Sequence, residues 1–305
     1  MNIISEPFLD PEYLSNAIIN GLYKGIVGRK ADISGLHTYG DRLSSLGVEY
    51  GVSNIVKAMI SSSEFREKEQ SSLSSLAPSG GRTVRGKRIN HIISLGTHCL
   101  TASYLKTYGL KPYSLPFDWC FSSPKMVVHC LEDDFSTFLD SAHYQSLTHQ
   151  QLSGEPRANH MWYLNHHNVT DMFAHRDPTR SEDKAYYDRA VNRFRSVIKC
   201  DDAKLFLMIA GPNFDVCSSF DTLSAELKLR TLNSAFICIQ LKEPTHEFGC
   251  HNISLLKKDE DHALYCFQPS SSQDGVRFEN LEDGQIIMRL VNQFDLGNLC
   301  TGNPP

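Results

Sequence analysis

Three short apolar runs constrain this chain more than any other feature. Ile92-Ile93-Ser94-Leu95, Leu205-Phe206-Leu207-Met208-Ile209 and Ala235-Phe236-Ile237-Cys238-Ile239 have the length of buried strands. Stretches with helical spacing lie between and around them, over 99–108, 183–199 and 221–232. In the second of these, Tyr187, Ala190, Val191, Phe194, Val197 and Ile198 fall on one side and Arg189, Arg193 and Arg195 elsewhere. Strands interleaved with amphipathic helices predict an α/β or α+β domain. No internal repeat points to a solenoid or propeller.

The stretch from Glu67 to Lys87 contains Ser71-Ser72-Leu73-Ser74-Ser75-Leu76-Ala77-Pro78-Ser79-Gly80-Gly81-Arg82, too polar and too rich in Ser and Gly to bury a core of its own. It predicts a flexible linker over 69–87, between a small unit at 1–68 and a larger one at 88–305. The small unit carries Tyr13, Leu14, Ala17, Ile18, Leu22 and Tyr23, then Leu36, Tyr39 and Leu43, then Val52, Ile55, Val56, Met59 and Ile60, all at helical spacing. Three or four short helices are expected, with Gly25, Gly28, Gly35, Gly47 and Gly51 at or between their ends. Arg29 and Asp32 read as a local ion pair or loop cap.

A formal charge of −5 gives the 305-residue chain no basic field for nucleic acid or an anionic membrane. No apolar run approaches the roughly 18 residues needed to span a bilayer, and the first residues lack a leader pattern, so a cytoplasmic protein is expected. The nine cysteines are odd in number, scattered and without a C-x-x-C pair, which predicts reduced thiols and no structural zinc site. His160, His166, His167 and His175 form one grouping that mimics a metal site, but their spacing fits no ligand template. No metal is expected there.

Cys99 closes the first apolar run at the head of the helical stretch 100–108. The first turn of a helix presents unpaired N–H groups and the positive end of the macrodipole, which favour a thiolate. Cys99 is therefore a candidate nucleophile. The same pattern also suits a small buried apolar residue. Gly96 and the backbone amides of Thr97, His98 and Cys99 are candidate donors to an oxyanion.

Two resemblances add to this reading. Leu22-Tyr23-Lys24-Gly25-Ile26-Val27-Gly28-Arg29 with Asp32, Gly35-Leu36 and the closing Ser63-Glu64-Phe65 resembles the DUF4214 family of small helical domains, over about residues 8–70. That resemblance implies an accessory module with a protein or glycan partner. Ser94-Leu95-Gly96-Thr97-His98-Cys99 with Ala102, Leu105 and Tyr113-Ser114-Leu115-Pro116-Phe117-Asp118-Trp119 resembles the DUF1796 family of papain-like cysteine peptidases. Asp134-Phe135, Phe138-Leu139, Phe173-Ala174-His175, the Tyr187…Arg193-Phe194 helix, Gly275-Val276-Arg277-Phe278 and Asp283-Gly284 extend the likeness over most of 88–295. One departure stands after the second apolar run. Where family members tend to carry an arginine able to bind an acidic group, this chain reads Ile209-Ala210-Gly211-Pro212.

The second resemblance implies a papain-like catalytic domain in which Cys99 is the nucleophile and His175 the proton carrier. Asp118 is the first choice for orienting the histidine or meeting substrate, and Asp177 the second; Asp118 is alternatively a cap for a turn. His98 and Trp119 read as loop, core or substrate contacts. The implied activity is hydrolysis of a peptide or other acyl substrate without a cofactor. Two alternatives stand beside it. One is an acyltransferase of surface-polysaccharide synthesis using coenzyme A as acyl carrier. The other is a non-catalytic binding protein on the same fold.

Overall fold

The structure, a computed structural model, describes residues 10–60, 62–65, 81–147, 156–246, 251–297 and 299. The chain divides into two compact units, residues 1–75 and 76–305.

In the first unit, α1 (Pro11–Leu22) begins with proline at its first position, and the Asp10 side chain accepts from the Glu12 N–H. A π-helical turn, Tyr23–Val27, continues it and stops at Gly28, whose φ of 78° is left-handed. The following helix α2 (Ile33–Ile60) is broken at Gly47 (φ 74°, ψ 166°). At the bend Gly51 packs so tightly on Leu43 that a β-carbon would sit 2.9 Å from the Leu43 Cα. Ile19, Tyr23, Val27, Leu43, Ile55 and Met59 form the core. Arg29 pairs with Glu64 and lies 3.4 Å from Asp32, a solvent-exposed cluster that joins the start of the unit to its end. Such exposed pairs contribute about 0–1 kcal/mol.

Residues 69–80 of the expected linker lie outside the described residues. Its last seven residues are structured, which corrects the boundary at 87. Val84 and Lys87 exchange both backbone hydrogen bonds across Arg85 and Gly86, both at positive φ. Arg82 N donates to Gln293 O at 2.8 Å and Asp295 N to Arg82 O at 2.9 Å. Glycine content signalled a flexible tether; here it supplies a tight turn and a close approach to the chain's end.

The second unit is built on β1 (Ile89–Ser94), β4 (Ala203–Ala210), β5 (Ser234–Leu241), β6 (Asn252–Asp259) and β7 (His262–Gln268), in the order β1-β4-β5-β7-β6. β1, β4, β5 and β7 are mutually parallel and β6 runs antiparallel to β7. The short strands β2 (Tyr144–Ser146) and β3 (Ala158–His160) pair separately. The helices are α3 (Leu100–Thr107), α4 (Pro124–Glu132), α5 (Met161–His167), α6 (Ser181–Lys199), α7 (Val216–Arg230) and α8 (Leu281–Val291).

β4 and β5 are buried at every residue, as strands covered on both faces must be. Phe206, Met208 and Ala210 join Ile93, Leu95, Phe236 and Cys238 in one core with α4, α6 and α7. Leu205, Leu207 and Ile209 point the other way because side chains alternate along a strand. On that side Thr101 of α3 accepts a hydrogen bond from Ile209 N at 3.3 Å. Gly284 of α8 leaves room for the Tyr104 ring, and Phe278 N donates to the Tyr104 hydroxyl at 3.2 Å. The Gly275–Phe278 and Asp283-Gly284 motifs thus meet around one tyrosine of α3. Of the two fold classes expected, the unit is mixed α/β, with its parallel strands opening their carboxyl ends on one edge. The expected helix at 221–232 begins earlier, at Val216, because Asp215 caps it through the Ser218 N–H.

Candidate functional site at the carboxyl end of the parallel strands

Loops that follow parallel strands gather at one edge of the sheet, where open α/β proteins bind their ligands. The loop after β1 is Leu95–Cys99. Its turn requires Gly96, whose φ is +41°, and a β-carbon there would lie 2.5 Å from the Phe117 carbonyl oxygen. Phe117 itself is locked among Phe135, Phe138 and Phe194, with ring centroids 5.5–6.4 Å away. The Thr97 hydroxyl donates to Ile209 O at 3.1 Å, and Ser122 N donates to Thr97 O at 3.0 Å. These ties deliver Cys99 to the N-cap position of α3.

Opposite stands His175, on a segment pinned on both sides while its own ring is exposed. Phe173 and Ala158 exchange backbone hydrogen bonds at 3.1 Å, and Phe121 N donates to Met172 O at 2.9 Å. On the other flank Arg176 pairs with Asp183 at 2.8 Å and lies 3.8 Å from the centre of the Tyr186 ring. The result is a separation of 3.6 Å between Cys99 Sγ and His175 Nε2. A proton can pass between sulfur and nitrogen at that distance.

Cys99 is only 6% exposed. Burial raises its pKa above the ordinary thiol value, and the nearby Asp118 carboxylate adds to the rise, while the residue's own N–H acts against it. Burial of the sulfur thus works against the helix start, which by itself favours the thiolate.

The structure does not bring the two candidate aspartates to His175. Asp118 is buried, 2.6 Å from Lys111 Nζ, and accepts from Leu115 N at 2.5 Å. Its other oxygen has no partner among the described residues, and burial lifts its pKa to about 6 against the pull of Lys111. Asp177 accepts from Ser146 Oγ at 2.5 Å and from Thr179 N and Oγ1 at 3.0 and 2.6 Å. Both carboxylates hold loops together, and among the described residues Cys99 is the sole hydrogen-bond partner of His175. Lys106 Nζ and Lys111 Nζ lie 5.8 and 5.9 Å from the ring centre of Trp119, which is half-buried.

Gly96 also leaves the set of oxyanion donors, because its N–H donates to Ser94 Oγ at 3.2 Å. The amides of Thr97, His98 and the helix start remain candidates. His98 is half-buried with Gln273 beside its ring, and burial lowers its pKa. Thr97, His98 and Gln273 line a cleft of 330 Å³ with Ser122, Asp171 and the loop after β4, Gly211-Pro212-Asn213-Phe214. Sequence reading missed this loop as a wall of the site, apart from its departure from the family pattern. The histidine grouping also separates. His160 is fully buried, 2.9 Å from Thr137 O, and caps α5, whereas His175 faces Cys99.

The fold and this loop cluster define an α/β domain with a Cys–His pair at the carboxyl edge of a parallel sheet. Residues 90–213 are similar to a family described as "Putative papain-like cysteine peptidase (DUF1796)". The match runs from β1 to the loop after β4, so it includes Cys99, Asp118 and His175 and stops short of Gly275–Phe278 and Asp283-Gly284. It does not extend to residues 8–70, and the expected DUF4214 likeness has no support from it. No curated protein and no solved structure matches the chain. No helix among the described residues is long and apolar enough to cross a membrane.

Proposed function

We propose that the second unit is a cysteine-dependent acyl hydrolase whose substrates are peptides, with Cys99 as nucleophile and His175 as its base. The observation that carries this reading is the 3.6 Å approach of Sγ to Nε2 beside the cleft. His175 takes the thiol proton as Sγ attacks the substrate carbonyl, which suits a thiol whose pKa burial has raised. Backbone N–H groups at the start of α3 receive the developing oxyanion. Collapse forms the Cys99 thioester, and His175 returns the proton to the leaving amine. Water, deprotonated by the same imidazole, then releases the acid and restores the thiol. The sulfur, the imidazole and the backbone donors supply every part of this sequence, so it needs no cofactor.

The acyltransferase alternative calls for basic side chains to hold the phosphates of coenzyme A. The residues lining the cleft include no lysine or arginine, which favours the hydrolase. The burial of Cys99 favours a non-catalytic binding protein; the exposed imidazole held against its sulfur weighs against it. Incubating the full chain with a fluorogenic peptide library and, separately, with acyl-coenzyme A thioesters separates the three. Peptide turnover that disappears in Cys99→Ala is expected. Turnover of thioesters alone selects the transferase, and turnover of neither, with Cys99 unmodified, selects the binding protein.

For the first unit we propose an accessory role with a protein or glycan partner. A 490 Å³ groove lined by Glu12, Asn16, His37 and Asp41 among others supplies polar contacts of the kind sugars use. Full-length protein on a glycan array tests this, with loss of the signal in Asn16→Ala expected.

A further inference from the structure

At the opposite end of the sheet lies a second cluster, independent of Cys99. His91 enters from the start of β1, Cys200 from the end of α6 and Asp202 from the residue before β4. His91 Nε2 is 3.2 Å from Asp202 Oδ2 and 3.6 Å from Cys200 Sγ, and one ligand atom from each residue lies within 4.8 Å of the others. Bonds of about 2.0–2.3 Å at tetrahedral angles put neighbouring ligands roughly 3.3–3.8 Å apart. His91 Nε2 therefore already stands from the other two atoms at about the edge lengths such a polyhedron needs, with the sulfur–oxygen edge within 4.8 Å.

The surroundings are those of a ligand set. His91 Nδ1 is 2.6 Å from the Tyr113 hydroxyl, which fixes the ring and leaves Nε2 directed at the cluster. Asn90 Nδ2 donates to the other Asp202 oxygen at 3.2 Å, leaving Oδ2 to face the histidine. Lys204 turns its ammonium onto the carbonyls of Cys200 and Asp202, holding the loop that carries both side chains. His91 is buried while Cys200 and Asp202 are partly exposed, so the cluster has a solvent side for entry and for a fourth ligand.

We propose that His91, Cys200 and Asp202 form a zinc-type divalent metal site with one position left to solvent. A nitrogen, a sulfur and a carboxylate oxygen suit a borderline-soft ion such as Zn²⁺ and do not suit Mg²⁺ or Ca²⁺. Binding converts the Cys200 thiol to a thiolate, so the S–H bond breaks, a Zn–S bond forms, and the proton passes to solvent. The ion ties the start of β1 to the α6–β4 junction, across the same two strands whose far ends carry Cys99 and wall the cleft.

Co²⁺ titration of the full chain under reducing conditions, followed by absorption, tests the proposal, with Zn²⁺ competition as the second readout. One equivalent is expected, with a sulfur-to-cobalt charge-transfer band that Zn²⁺ abolishes. Cys200→Ser is expected to remove the band and Asp202→Asn to weaken binding. Tyr113→Phe loses a partner of the ligand's ring, for which a loss of roughly 10–100-fold in affinity is expected. Cys99→Ser is expected to leave the band intact. Absence of a band, or a band lost in Cys99→Ser and kept in Cys200→Ser, overturns the proposal. Circular dichroism of each variant separates lost ligation from lost folding.

Discussion

Two cysteine–histidine pairs sit at opposite ends of the same parallel sheet, each with Sγ 3.6 Å from Nε2. Their chemistry differs because of what surrounds them. At the carboxyl end the cysteine is buried, the histidine is exposed, and among the described residues the imidazole bonds to nothing but the sulfur. At the amino end the histidine is buried, Tyr113 holds its other nitrogen, and Asp202 shares the nitrogen that meets sulfur. A base must take up and give back a proton, which an imidazole open to solvent can do. A ligand must hold one orientation, which a fixed ring does. The Sγ–Nε2 distance is common to both pairs; what distinguishes them is the partner of the second ring nitrogen and, at the carboxyl end, the neighbouring cleft.

The comparison is broken most directly at the sulfurs. Cys99→Ala is expected to lower acyl-bond hydrolysis by about 10³-fold or more in steady-state assays. A residual rate within tenfold of wild type would remove Cys99 from the chemistry. His175→Ala is expected to cost about 10²–10⁴-fold in kcat/KM, the usual range for a general base. Gly96→Ala places a β-carbon against the Phe117 carbonyl at positive φ, and urea unfolding is expected to show a loss of about 3 kcal/mol. The smallest effect is expected at the other end of the sheet. Cys200→Ala should leave hydrolysis within about twofold, since no step of the reaction passes through it.

Asp118 sharpens the carboxyl-end picture through pH. Its folded pKa of about 6 lies above the ordinary 3.8, so this carboxyl stays protonated in the folded chain where it ionises in the unfolded one. The associated stability is full below pH 3.8 and is lost as pH rises through about 6. Between pH 7 and pH 5 the wild type is expected to gain on the order of 1 kcal/mol relative to Asp118→Asn. Urea titrations at the two pH values read this difference directly, and parallel curves for the two proteins would contradict it.

What could be read from the residues follows the range of the interactions. The β4 and β5 runs and the helix that follows Cys99 are local, and they stand where periodicity put them. His175 came from a resemblance, 76 residues from the cysteine it meets. The failure came at the third residue. Asp118 and Asp177 were visible as acids near candidate positions, but their partners Lys111 and Ser146 emerge only when loops close. The amino-end cluster was invisible for the same reason: its histidine stands 109 residues before its cysteine in the chain and 111 before its aspartate. β6 escaped because Lys257, Lys258 and Asp259 make an exposed edge strand look like a loop.

The most direct test of the central claim is to expose the full-length reduced protein briefly to p-nitrophenyl acetate and map the acetylated thiol by mass spectrometry. The account requires acetylation of Cys99 ahead of the other eight of the nine cysteines, slowed by about 10²-fold or more in His175→Ala. Acetylation concentrated on exposed Cys217, or a Cys99 rate that His175→Ala leaves unchanged, would contradict it.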